Sequence, residues 1–97
     1  IVTGSTFKNG IIKAYEEAIK VFPSHLISNP LDSRINNYWT FIIAPDGSEE
    51  GWTDSNIGDE RRSEFIKWLK DNEEDHWCEW VEVSYDENHK CEIINYF

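Results

Sequence analysis

Apolar residues in this chain fall into two helically periodic stretches and three strand-like runs, and these segments frame everything else. Over residues 9–22, Ile11, Ile12, Tyr15, Ala18, Ile19 and Phe22 recur at three- and four-residue spacing, while Lys13, Glu16, Glu17 and Lys20 fill the other positions. That is the pattern of a helix with one buried face. Asn9 is placed to cap it and Pro23 to end it. A second helix is expected over residues 57–72, with Ile57, Arg61, Phe65, Trp68 and Leu69 as its buried stripe and Ile66 beside it. Ser55 or Asp54 can cap this one, and early Asp59 and Glu60 with late Lys67 and Lys70 suit the helix dipole.

The strand-like runs are β-branched and aromatic. Residues 38–44 (YWTFIIA) stop at Pro45-Asp46-Gly47-Ser48, a strong turn signal. Residues 77–85 (WCEWVEVSY) put Trp77, Glu79, Val81, Val83 and Tyr85 on one side and Trp80, Glu82 and Ser84 on the other. A turn at residues 86–89 returns the chain as residues 90–97 (KCEIINYF). Residues 1–7 read as an edge strand or an arm, and residues 23–37 as a loop with one extended stretch around residues 25–27. The expectation is a single α+β domain over residues 1–97, in the order (β)-α-β-α-β-β. Its antiparallel or mixed sheet has three to four strands, with both helices mainly on one face.

Composition narrows this picture. Only 39% of the residues are apolar, yet 14% are aromatic, enough to build a core in a chain this acidic. The longest apolar stretch, Phe41-Ile42-Ile43-Ala44, is far short of the ~20 residues that cross a bilayer. The net charge of −10 argues against anionic membranes and against direct contact with nucleic-acid phosphates. That charge is uneven. Residues 1–45 hold three acids and four bases, whereas residues 46–97 hold sixteen acids and five bases.

Candidate chemistry is sparse. Asp46, Ser48, Glu50 and Asp54, with Gly51 at the sixth position, match the opening of a calcium loop, but Ile57 stands where a bidentate Glu should close the site. A strand-to-helix turn is the plainer account. His25, His76 and His89 lie far apart; His76 and Cys78 make the only close pair, in successive strand positions facing the same way, too few for a zinc site. With a turn at residues 86–89, Cys91 pairs with Ser84 or Val83, which leaves Cys78 some 17–20 Å away and both thiols free. Free thiols suit a reducing cytoplasm. No Gly-rich phosphate loop, nucleophile elbow or HExxH helix is present, so the expectation is no enzyme, no cofactor and no metal.

Glu49-Glu50-Gly51-Trp52, then Gly58-Asp59-x-Arg61-Arg62-x-x-Phe65-x-x-Trp68-Leu69, then Trp80-Val81-Glu82-Val83 form a pattern that resembles small uncharacterised acidic proteins of phage and bacteria, over about residues 38–85. The resemblance implies a context in which short phage-encoded proteins inhibit host or defence enzymes. Arg61 and Arg62 read as ion-pair partners of Glu49, Glu50 or Glu82. The leading expectation is an inhibitor or immunity-type module whose acidic face engages a basic surface of a partner protein, such as a nucleic-acid-binding site. The candidate binding residues are Asp46, Glu49, Glu50, Asp54, Glu73, Glu74, Asp75, Asp86 and Glu87, with Trp52 and Trp77 as aromatic anchors. The alternative is a structural subunit, a homodimer built on the strand edge at residues 90–97. An acidic surface that serves solubility alone is the plainest account of the charge, and a small enzyme or metal protein the remaining alternative.

Overall fold

Among the described residues, nine elements build one antiparallel sheet and its helical cover, and the first of them lies where the sequence pattern is weakest. The computed structural model describes residues 1–86 and 88–97. Strand β1 (Val2–Ser5) leads into α1 (Lys8–Val21), a 3-10 turn (Ser24–Leu26), β2 (Leu31–Asp32) and β3 (Trp39–Ile42). Helix α2 (Thr53–Asp71), the single turn α3 (Glu73–His76) and the hairpin β4 (Glu79–Asp86) and β5 (His89–Tyr96) complete the chain. The sheet order is β2-β3-β1-β4-β5, with every neighbour antiparallel.

The α+β class and the antiparallel pairing agree with the sequence. The count does not: among the described residues five strands stand where three to four were expected, and a third, one-turn helix is added. Residues 1–7 hold the central strand, not an edge or an arm. Val2 faces both Ile42 and Val81, and Thr3 both Phe41 and Trp80. Thr3, Gly4 and Ser5 are small and buried, so this strand joins the core by allowing close approach rather than by apolar bulk. Tyr38 fills the space over Gly4: a Cβ there would lie 2.1 Å from the Tyr38 hydroxyl.

Alternation assigns the faces. Thr3, Ser5, Phe41, Ile43, Trp80 and Glu82 are buried under the helices, whereas Val2 and Ile42 are exposed on the other side. The core joins Ile11, Ala14, Ala18 and Phe22 to Phe65, Ile66 and Leu69 of α2 and to Phe41, Cys78 and Trp80. Tyr15 meets Phe41 edge-on at 5.8 Å, and Phe22 meets Phe65 likewise.

Both helices start earlier than expected. Helix α1 begins at Lys8 with Phe7 as N-cap, and the Ser5 hydroxyl accepts the Phe7 N–H; Asn9 is inside the helix and Ile19 is exposed. Helix α2 begins at Thr53 with Trp52 as N-cap, so Asp54 and Ser55 are helical and make no side-chain cap. Ile57 therefore falls outside the buried stripe, which is Gly58, Phe65, Ile66 and Leu69, with Trp68 partly buried. Within residues 23–37 the extended stretch expected near residue 26 is the 3-10 turn, and β2 pairs briefly with β3. The hairpin register also differs. Asp86 pairs with His89, which sets Ser84 against Glu92 and Val83 against Ile93, with irregularities on either side; Cys91 pairs with neither. Both cysteines are free, Cys78 buried and Cys91 exposed.

Candidate functional site

The residues marked for binding fall into three places. The first is the strand-to-helix connection before α2. Asp46 accepts from the Ser48 N–H at 2.8 Å and from its hydroxyl, and these bonds hold the Asp46 carboxyl below the usual carboxylate range. Gly47 and Gly51 take φ of 84° and 90°, the left-handed backbone that lets the loop fold back before α2. Glu49, Glu50 and Trp52 are exposed, and Asp54 stands in the first turn of α2. Asp46 and Asp54 also line a cleft of about 260 Å³ with Pro23, His25, Leu26, Ile57 and Arg61.

The second place is the other end of α2. Its 19 residues span about 28 Å, so the two clusters do not touch. Glu73, Glu74 and Asp75 are exposed on α3, and Trp77 follows at φ 53°, 67% exposed. A left-handed backbone at a bulky residue is strained. It is held from both sides: the Trp77 N–H donates to Glu73 O at 2.9 Å, and the Ser5 hydroxyl donates to Trp77 O at 3.0 Å. Trp77 therefore lies outside the strand expected to contain it.

Buried His76 is the anchor of this end. Its Nε2–H donates to Leu69 O at 2.8 Å, leaving Nδ1 to accept the Cys78 N–H at 2.9 Å, and Trp68 stacks on the ring at 5.4 Å. His76 and Cys78 are thus not successive strand residues sharing a face; a helix end and a left-handed Trp77 separate them. Burial pushes the Cys78 thiol up to about 12. No group of three or more His, Cys, Asp and Glu able to hold a metal ion occurs among the described residues.

The third place is the hairpin tip. Asp86 accepts from the Asn88 N–H and pairs with His89 at 2.7 Å; these bonds hold its carboxyl below the usual range. Glu87 lies outside the described residues. Along α2 the charges are mixed. Arg62 pairs with Asp59 and lies 3.7 Å from buried Glu82, which also accepts from Asn95, while Lys67 pairs with Asp71. Of the partners expected for Arg61 and Arg62, Glu82 lies beside Arg62; among the described residues neither arginine forms an ion pair with Glu49 or Glu50.

One surface that charge reasoning passed over is the uncovered side of the sheet. Register puts Val2, Ile42, Val81, Val83, Ile93 and Tyr96 on it together. Of these, Val2, Ile42, Ile93 and Tyr96 are exposed. The alternation of residues 77–85 was the signal available in the sequence, but which side the helices would cover was not in it.

Compared with family models, curated proteins and solved structures, the chain matches none.

Proposed function

We propose that this protein acts by binding rather than by catalysis, as a small acidic inhibitor or immunity-type, counter-defence module that engages a basic surface of a partner protein. The observation that carries the reading is how charge is laid out along the molecule. Ten net negative charges belong to a body 40 Å long. Exposed carboxylates with an exposed tryptophan stand at each end of α2. Averaged over that length this is roughly one net charge per 4 Å, of the order of the ~3.4 Å per charge of one nucleic-acid strand, with the carboxylates gathered at the ends rather than evenly spaced. The basic surface that suits it is a cleft built for a single strand's phosphates, with Trp52 and Trp77 as anchors where a base would stack. A phage-encoded inhibitor working in the cytoplasm is the setting that the motif resemblance and the free thiols support.

The test is retention of basic, nucleic-acid-binding proteins on the immobilised chain, with salt elution and competition by single-stranded DNA. Association with a captured protein should slow about tenfold or more in a Glu49→Lys, Glu50→Lys double variant, and fall as salt screens the field. Glu16→Lys, Glu17→Lys changes net charge by the same amount in the nearly neutral half and should have little effect. Equal effects would reduce the interaction to overall charge. Simultaneous binding of the DNA and this protein would refute the strand-mimic form.

A further inference from the structure

The two edges of the sheet are unlike. β2, at one edge, is two residues long, too short to template another strand. β5, at the other, runs for eight residues with no proline, and its outer side has no strand beside it among the described residues. Ile93, Ile94 and Tyr96 are 65%, 54% and 73% exposed along it. Such an edge is where one chain adds to another.

Charge identifies the occupant. The second half of the chain is strongly acidic, so most of its surface repels a second copy. Residues 88–97 are the exception, because their charged side chains are Lys90 and Glu92, which cancel. These two stand on either side of exposed Cys91. In an antiparallel pairing with a two-fold axis at Cys91, Lys90 of each copy faces Glu92 of the other, and His89 faces Ile93. The pairing ends at Ile94, where the β4–β5 ladder shifts register; the ladder's other irregularity, between His89 and Glu92 of β5, lies inside it. The arrangement is self-complementary, as a two-fold interface requires.

We propose that the protein forms a homodimer through antiparallel pairing of β5 with β5 of a second copy, centred on Cys91, with two reciprocal Lys90–Glu92 contacts. The dimer joins two five-stranded sheets into one and brings the two uncovered apolar faces into register. It stands independently of the basic-partner reading, since it uses neither end of α2.

The experiment is sedimentation velocity over a concentration series, with charge-swap variants. Lys90→Glu and Glu92→Lys each place two like-charge pairs across the axis and should weaken the dimer about tenfold or more. They move net charge in opposite directions, so weakening by both cannot come from overall charge. The double variant, Lys90→Glu with Glu92→Lys, restores opposite charges and should recover association to within about threefold of the wild type. Cα atoms directly opposite in an antiparallel ladder lie about 4.5–5.5 Å apart, within disulfide reach. Mild oxidation with copper–phenanthroline should therefore link wild-type chains through Cys91, and should link Lys90→Glu chains far more slowly. A wild type that stays monomeric into the millimolar range overturns the proposal and leaves the edge to a different partner or to none. A double variant no better than the singles, or cross-linking unaffected by Lys90→Glu, overturns the register.

Discussion

Replacing Gly10 by alanine should unfold this protein more easily, although the same change in most helices does the opposite. Alanine is the better helix former by up to about 1 kcal/mol, and Gly10 sits in the first turn of α1. The space it faces decides the sign. A Cβ at residue 10 would stand 1.8 Å from the His76 carbonyl oxygen and 2.6 Å from its carbon, against the 3.4 Å of ordinary contact. The carbonyl would have to retreat by about 1.6 Å, and it belongs to a residue fixed on every side. The His76 ring is bonded to Leu69 and Cys78, and Ser5 holds the next carbonyl along, that of Trp77. Forcing a methyl into a packed site costs about 1–3 kcal/mol, towards the upper end where backbone must move. Net of the propensity gain, Gly10→Ala should cost about 2 kcal/mol, a large share of a typical stability of about 5–15 kcal/mol. Gly58→Ala in α2 is the control, because there the nearest atom is the Arg62 guanidinium at 3.0 Å, the far end of a long, half-buried side chain rather than backbone. That variant should gain about 0.5–1 kcal/mol. Urea unfolding followed by tryptophan fluorescence should separate the two midpoints by more than about 1 M. A Gly10→Ala variant as stable as the wild type would refute the α1–α3 packing.

Thr3 is fully buried on the central strand and its hydroxyl has no hydrogen-bond partner among the described residues; Thr3→Val should raise stability by about 1–2 kcal/mol, and a lower melting temperature would contradict this. Cys78 should resist alkylation in the folded protein while Cys91 reacts, because burial keeps the Cys78 thiol protonated. The sign of the linked pH effect follows: the folded value lies about 12 against 9.0 for a free thiol, so this stability is complete below pH 9 and is lost as pH rises from 9 towards 12. Stability in Cys78→Ala should lack that component, as paired pH titrations of unfolding will show. Trp68→Ala should cost about 3–5 kcal/mol, since Trp68 lies between Phe65 and His76. Trp77→Asn should stay within about 1 kcal/mol of wild type, as asparagine tolerates the left-handed backbone and the indole is mostly solvated; equal losses would mean that Trp77 is a core residue.

How much of this was legible beforehand depended on whether the deciding interaction was local. Three-residue and four-residue spacing found α1 and the Phe65–Leu69 half of α2, because each turn of a helix repeats its own environment. The Asp46-Gly47 turn was equally plain, since the left-handed glycine and the Asp46–Ser48 bonds lie within three residues. The helix starts were not, because Phe7 and Trp52 cap with backbone geometry alone and carry no side-chain signature. Candidate carboxylates could be named from the sequence, but their division between the two ends of a long helix could not.

What the sequence determined by itself was therefore the α+β class, the charge split between its halves and the elements whose period is written in their own residues. Tertiary structure alone decided that Val2–Ser5 is the middle of the sheet, since a strand of small residues is recognised by what packs on it. It also decided that His76 is a buried clamp at a helix end instead of a strand residue sharing a face with Cys78, through carbonyl and amide groups of Leu69 and Cys78. And it decided which face of Val81 and Val83 stays open, because a period of two fixes which residues share a side, but only the placement of α1 and α2 chooses the side that is covered.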